Sequence, residues 1–358
     1  KPFKFFGGWQ EKDIQKDITE ISGKGDVGAY VDFETEEGEV VLLQTGISLV
    51  SIDQARLNLE EEMIKPYGWE FESVRADARK VWNDLLSKIE VSGGSEEDKT
   101  KFYTNLYRSY VARAILSDVN GKYMDPCEVE RQSDTPMLGC DAFWNTFWNL
   151  NQLWTLVNPD IASMWVKSLL QMYRDGGWLS KGPAGIEYSS IMVASHSIPL
   201  IVSAYQKGIR DFDVETAWEA IYHQQTVPGH DYECGGRVGN MQLEPYLKYG
   251  YVPNEAIHVS NTLEYAYDDW CVAQFAKALG KKKEYRTFSE RAEYYKNMFD
   301  PETKYMRPRH EDGSFRKDFN PLSSPRNEWV EGNSWQYTFF VPQDVEALVR
   351  MMGEEEFN

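Results

Sequence analysis

Carboxylates set among tryptophans, amides and two histidines recur in four stretches: GGWLSKGPAGIEYSS (176–190), VASHSIP (193–199), HVSNTLEYAYDDWC (258–271) and EWVEGNSWQYTFFVPQD (328–344). No Ser-His-Asp arrangement, phosphate-cradling glycine loop or H-E-x-x-H stands out beside them. Carboxylate chemistry among aromatic rings is what remains. It suits glycoside hydrolysis, in which one carboxylic acid protonates the leaving oxygen and a second carboxylate activates water or attacks carbon.

A further aromatic run, FWNTFWNLNQLW, occupies Phe143 to Trp154 and packs three tryptophans, two phenylalanines and three asparagines into twelve positions. Large rings bury apolar area, so a core helix explains it. Interleaved asparagines argue the other way, because a buried amide without partners costs about 1–3 kcal/mol. Flat rings beside amide donors and acceptors also suit a sugar pocket, and the residues alone leave core and pocket equally open.

The elements that must position these residues change texture once along the chain. Residues 27–52 alternate and are rich in Val, Tyr, Phe and Thr, with EEGE as the turn between two runs, which predicts antiparallel strands. From about Glu70 onward the pattern is helical. FESVRADARKVWNDLLSKIEV is followed by Gly-Gly, and Ser95 opens the next helix with a Ser-x-x-Asp capping box. Its apolar face is Phe102, Leu106, Tyr107, Tyr110 and Val111. Further helices are expected over 143–157, 160–175, 188–207, 214–224, 262–279, 283–298 and 343–352. In the helix over 262–279, the expected stripe is Leu263, Tyr267, Trp270, Cys271 and Ala278, with Gly280 as its stop. Many antiparallel helices joined by aromatic-rich loops predict a helical toroid more than a simple bundle.

Composition narrows the partners. A formal net charge of -19 over 358 residues argues against nucleic acid, which demands a basic face. No run of eighteen apolar residues is present, so no membrane span is expected. Four cysteines lie far apart without a C-x-x-C. Cys127 and Cys140 bracket a polar loop and are a candidate bridge in an exported protein. Cys271, inside a helical pattern, reads as a buried thiol.

SNTLEYAYDDWC, EGNSWQYTFFVPQDV, KYMRPRHEDGSF, LLQMYRDGGWL followed by a Glu-containing loop and MVASH, and GISLVSIDQARLNLEEE together resemble glycoside hydrolase family 92 over nearly the whole chain. The resemblance implies an exo-acting, inverting, calcium-dependent α-mannosidase. It also implies an α+β architecture: an antiparallel β-sandwich, present in part over 1–66, a linker helix over 67–94, and an (α/α)6 toroid over 95–358, incomplete in this chain. Export to the periplasm or cell surface goes with it, as do a mannose-containing glycan as substrate and neither nucleic acid nor membrane as partner.

Residue by residue, the resemblance assigns Glu331 as the general acid, kept protonated by desolvation beside Trp329 and Trp335. Asn333 and Trp335 would neighbour it, though a helix cap and a core anchor explain them equally. The family's W-D-T-F corresponds here to Trp144, Asn145, Thr146 and Phe147, so an amide replaces a carboxylate that binds the terminal mannose. Asn145 offers a donor as well as an acceptor, and Asn149 and Gln152 are expected to compensate towards the pocket. The substitution also motivates a second reading, a catalytically weakened glycan-binding relative. Glu187 and His196 match polar positions lining the family's pocket, although a lone His in SSIMVASHSIPLIVSAY also reads as a satisfied core residue. Glu264, Asp268 and Asp269 look like a catalytic carboxylate cluster, in which Glu264 and Asp268, four apart on one helix face, repel unless something positive intervenes; a salt bridge or hydrogen bonds to neighbouring loops are expected ahead of a metal. The family's N-E-P-x-H calcium ligands and its G-N-D-D-x-G base are not found, so metal ligands and base are expected from further polypeptide completing the fold. No base is assigned, with Asp268 and Asp269 the fallback candidates.

Overall fold

The computed structural model describes residues 2–111, 114–139, 142–144, 146–183, 188 and 192–358. Three strands, β1 (Phe5–Gln10), β2 (Asp13–Lys16) and β3 (Val27–Asp32), form an antiparallel sheet in the order β2-β1-β3. Trp9 pairs with Gly28, where a Cβ would meet the indole at 2.4 Å, so glycine lets the ring lie across the neighbouring strand.

The expected turn at EEGE forms, with Glu39 N–H donating to the Glu36 carbonyl at 3.1 Å. The run after it does not become a strand. Val40 and Ile47 are each 79% exposed, and no strand covers residues 33–51. Alternation yields a strand only where a neighbouring edge takes up the backbone groups, and none of the three strands pairs with this run. Helix also begins earlier than the expected boundary at 66/67. Ser51 caps Ile52–Leu59 through the Gln54 N–H, and the chain stays helical through a π-type turn to Tyr67.

Helices Phe71–Leu86 and Glu96–Tyr110 follow, the second with both arms of the Ser95–Asp98 capping box in place. Leu150–Val157, Pro159–Gly176, Ser197–Gln206, Val214–Gln224, Asn261–Ala278 and Lys282–Arg291 then build the main core, in which Trp154, Trp165, Leu169, Ile198, Ile221, Val272 and Phe275 are buried. Between these lie short two-stranded pairs, among them His230–Asp231 with Arg237–Val238. The result is a mixed fold, mainly helical with small antiparallel sheets.

The helix Asn261–Ala278 packs against Ser197–Gln206, Val214–Gln224 and Lys282–Arg291. Its expected single stripe is too narrow. Leu263, Tyr265, Ala266, Asp268, Asp269, Val272, Phe275 and Ala276 are all buried, whereas Ala278 is exposed. A helix surrounded on most sides must bury its carboxylates as well, and each then needs partners.

Cys127 is bridged to Cys234, not to Cys140. Cys140 lies outside the described residues. Asp125 holds the turn at Cys127 by accepting its N–H at 2.8 Å, and Cys234 sits in the turn between His230–Asp231 and Arg237–Val238. A bridge separated by 107 residues in sequence was beyond what spacing could indicate. Cys271 is a buried free thiol, as expected.

Candidate active site

The aromatic run at 143–154 divides by residue. Phe143 and Trp154 belong to the core, where both pack on Trp165 with ring centroids 5.3 Å and 6.4 Å away. Trp144 and Trp148 instead border a cavity of about 220 Å³, shared with Glu264, Val330, Glu331, Gly332, Gln336, Tyr337 and Phe340. Its volume lies below the roughly 300–1,000 Å³ of drug-sized pockets, a scale for one small ring rather than a long chain. Phe147, stacked on Trp148 at 5.0 Å and tilted on Tyr267 at 4.4 Å, ties the aromatic wall to the central helix.

Glu264 enters the cavity from the first turn of that helix. Its Oε1 accepts from the Trp144 indole Nε1 at 3.2 Å, and its Oε2 lies 3.1 Å from His196 Nε2. The same imidazole nitrogen is 3.9 Å from Asp268 Oδ1. Asp268 also accepts the Ser195 N–H at 2.9 Å, and the buried Lys181 acts electrostatically on both carboxylates. Burial pulls the His196 imidazole down, but Asp268 and Glu264 outweigh it and raise its pKa. Burial pushes Asp268 up to about 6 against the pull of His196, and lowers Lys181 to about 8.

Glu331 reaches the cavity from a turn. Its φ of 48° puts a non-glycine residue in the left-handed region, which costs of order 1–3 kcal/mol and persists only where surroundings impose it. Those surroundings are visible at Val330, whose N–H donates to Ser260 Oγ at 3.2 Å and whose carbonyl accepts from the Tyr337 hydroxyl at 3.0 Å. At Gly332 a Cβ would come within 3.0 Å of the Tyr337 ring. Met192 and Ala194 before His196, and Ile257 and His258 before Ser260, also have positive φ. Each segment delivering a polar residue to this region therefore carries imposed backbone conformations.

Of the residues expected from sequence, Trp144 and Glu331 meet at one cavity. His196 does not border it. It is buried beneath Glu264, because the imidazole answers two carboxylates rather than solvent. Asn333 is a helix cap, accepting the Gln336 N–H in a capping box that opens Ser334–Tyr337. Trp335 is 51% exposed and leans on Tyr305 outside the cavity, since the turn of helix after Asn333 points it away. Glu331 is itself exposed, so the expected desolvation by Trp329 and Trp335 is not supplied. Asn149 and Gln152 border a groove with Phe102 and Leu106 instead of the pocket. Asn145 and Glu187 lie outside the described residues. Asp269 is locked by Arg291, with Nε 2.9 Å from Oδ2 and Nη2 2.7 Å from Oδ1, and by the Tyr246 hydroxyl at 2.8 Å. Neither Asp268 nor Asp269 borders the cavity, so the fallback for the base fails on position. Glu264 and Asp268 both face the His196 imidazole, which forms an ion pair with them when protonated, and Asp268 also takes a backbone N–H from the loop at Ser195.

Trp148, Tyr337 and Phe340 were missed as residues bordering the cavity, and Glu264 was singled out only as one of three clustered carboxylates. Their signal was present in the aromatic run, in the LEYAYDD cluster and in QYTFF. What spacing did not say was which ring of each run turns inward.

An aromatic cavity bordered by two carboxylates offers the side-chain types that glycoside hydrolysis uses. The model of the glycosyl hydrolase family 92 catalytic domain matches residues 54–358, and the chain belongs to that family of glycoside hydrolases. The α-mannosidase BT3965 of Bacteroides thetaiotaomicron superposes with a TM-score of 0.85 at 29% identity, covering 100% of this chain and 47% of that one. The inverting mannosidase BT2199 of the same organism gives 0.84 at 28% identity, over 98% and 47%. A protein of Arthroderma benhamiae described as an uncharacterized secreted glycosidase is 26% identical over 363 residues, 91% of this chain and 42% of that one. The chain thus spans under half the length of these relatives. Among the described residues, no helix is long and apolar enough to cross a membrane.

Proposed function

We propose that this chain carries the general-acid side of an exo-acting α-mannosidase that removes terminal α-linked mannose with inversion. The observation that carries the reading is Glu331, held on an imposed left-handed turn at the edge of the cavity that Trp144 and Trp148 wall. In this role the Glu331 carboxyl gives its proton to the leaving glycosidic oxygen as the bond to the anomeric carbon breaks. Inversion requires a water activated on the opposite face of the ring, and no base for it is assigned to a residue of this chain.

The helices are read as part of an (α/α)6 toroid and the β2-β1-β3 sheet as part of a sandwich domain. Calcium is the cofactor proposed for the reaction. The residues described here do not fit a site for it, because among them no group of three or more His, Cys, Asp and Glu side chains could hold a metal ion. No step is therefore routed through calcium. Export to an oxidising compartment is supported by the Cys127–Cys234 bridge.

The test is Glu331→Gln, with mannose release measured from an α-linked mannobiose and from an aryl mannoside with a good leaving group. An amide cannot deliver the proton, so disaccharide cleavage falls by about 10²–10⁴-fold while the activated substrate loses far less. Equal losses on the two substrates would remove Glu331 from this role.

A further inference from the structure

The second half of the aromatic run, Asn149 to Trp154, does not border the cavity. Part of it opens elsewhere. Asn151 and Gln152 border a separate groove of about 390 Å³ with Ser203, Tyr267, Trp270 and Gln274, held between the helices Leu150–Val157, Ser197–Gln206 and Asn261–Ala278. That volume falls within the roughly 300–1,000 Å³ of small-molecule sites. Asn151 is 1% exposed, yet neither atom of its amide has a hydrogen-bond partner among the described residues. A buried amide left unpaired is destabilising, and this one borders open space far larger than the roughly 30 Å³ share of a single water. Trp270 is 37% exposed, and Tyr267 backs its indole at an interplanar angle of 16°, with ring centroids 6.2 Å apart, which fixes the plane of the ring. The described lining carries one charged side chain, Lys207, whose ammonium donates to Ser203 Oγ at 2.6 Å.

We propose that this groove is a second carbohydrate site, taking a neutral pyranose with its C–H face on the Trp270 indole and its hydroxyls on the Asn151 amide. An amide offers a donor and an acceptor together, which answers a hydroxyl in both of its roles. Gln152, Gln274 and Ser203 add further neutral polar groups, and a lining without a carboxylate suits an uncharged ligand that is held and not cleaved. The site is distinct from the cavity. Trp270 stands six residues beyond Glu264 on the same helix, about 9 Å along its axis, and Phe147, which borders the groove, stacks on Trp148 of the cavity wall. One aromatic run thus feeds two sites, Trp144 and Trp148 turning to the first, Asn151 and Gln152 to the second.

The experiment uses the full chain labelled with 5-fluorotryptophan and titrated with mannose and, separately, with glucose, while fluorine NMR follows the Trp270 resonance apart from those of Trp144 and Trp148. Single Trp→Phe variants assign the three signals. Trp270 is expected to shift with at least one of the two sugars, with a dissociation constant of its own. Asn151→Leu should weaken that response about tenfold or more, leave hydrolysis of an aryl mannoside unchanged, and raise the melting temperature because an unpaired amide has been removed. If Asn151→Leu fails to melt cooperatively, Gln274→Ala takes its place, with a loss of about threefold expected. A Trp270 signal that neither sugar moves, an affinity unchanged in the variant used, or an Asn151→Leu protein that melts below wild type, its amide then being bonded within the fold, each overturns the second site. A Trp270 that responds while Trp144 and Trp148 do not upholds the groove and instead counts against the cavity as the place where the terminal sugar sits.

Discussion

Glu264 and Glu331 border the same cavity from two kinds of backbone. Glu264 stands in the first turn of an 18-residue helix that is buried on most sides, and its own residue is 0% exposed. Glu331 stands on an exposed turn, in a left-handed conformation, just before a four-residue helix. Under the proposed function the contrast suits two different tasks. A carboxylate that only accepts hydrogen bonds gains from rigidity and from cations behind it. One that gives up a proton in each turnover must recover it, which exposure permits. The loss expected for Glu331→Gln is therefore the largest and falls on the chemical step, whereas a change at Glu264 falls on the packing of the wall.

The helix wall can be broken without touching the cavity. Burial pushes Asp269 up to about 7 while the Arg291 guanidinium pulls it down, and the pair is bidentate and buried. Arg291→Met would leave a carboxyl without its cation, at a cost of roughly 3–5 kcal/mol. A large drop in melting temperature is expected, with kcat per folded molecule unchanged. A variant as stable as wild type would mean that this wall is not anchored by the pair.

The turn wall rests on lighter supports. Tyr337→Phe removes the hydroxyl that donates to the Val330 carbonyl and also meets Ser260 and Glu264, with each hydrogen bond contributing about 0.5–1.5 kcal/mol. If that bond helps impose the left-handed Glu331, kcat/KM should fall about threefold to tenfold with little change in melting temperature. An unchanged kcat/KM would show that Ser260 and Gly332 suffice to hold the turn.

The pH dependence of stability should also differ between the walls. His196 has its folded pKa raised above the ordinary 6.5, so its contribution is fully present below that value and is lost as pH rises through the raised one. Asp268, raised to about 6, behaves the same way at lower pH, its contribution falling away between about 4 and 6. Melting temperature recorded from pH 5 to 9 should therefore decline more steeply in wild type than in His196→Gln. Parallel curves would mean that the imidazole does not bear the charge.

How much of this was readable from sequence depends on what kind of rule applied. The Ser95 cap, the helix over 214–224 and the thiol of Cys271 follow from local chemistry and were legible. Motif resemblance placed Glu331 and Trp144 together. The strand expected after Gly38 failed because pairing depends on a neighbour that alternation cannot specify. The Cys127–Cys234 bridge joins loops 107 residues apart, which no local pattern reports. Glu264 was visible as one of three carboxylates, but that it alone of the three borders the cavity depends on the packing around His196 and Arg291.

The smallest effect is expected at Trp335, and it tests how far a motif carries. EGNSWQY places this indole four residues from Glu331, which suggested a desolvating neighbour. Asn333 instead caps a helix, and that turn directs Trp335 outward, 51% exposed and 6.1 Å from the Tyr305 ring. Its backbone N–H is already satisfied by the Pro321 carbonyl at 3.0 Å, so truncating the side chain leaves the turn's hydrogen bonding intact. Surface substitutions away from such features usually stay within about 0.5 kcal/mol. Trp335→Ala should accordingly leave mannose affinity and kcat within about twofold of wild type. A loss of about tenfold or more would mean that the substrate extends past the cavity and stacks on this ring, adding a second point of contact for the glycan beyond its terminal sugar.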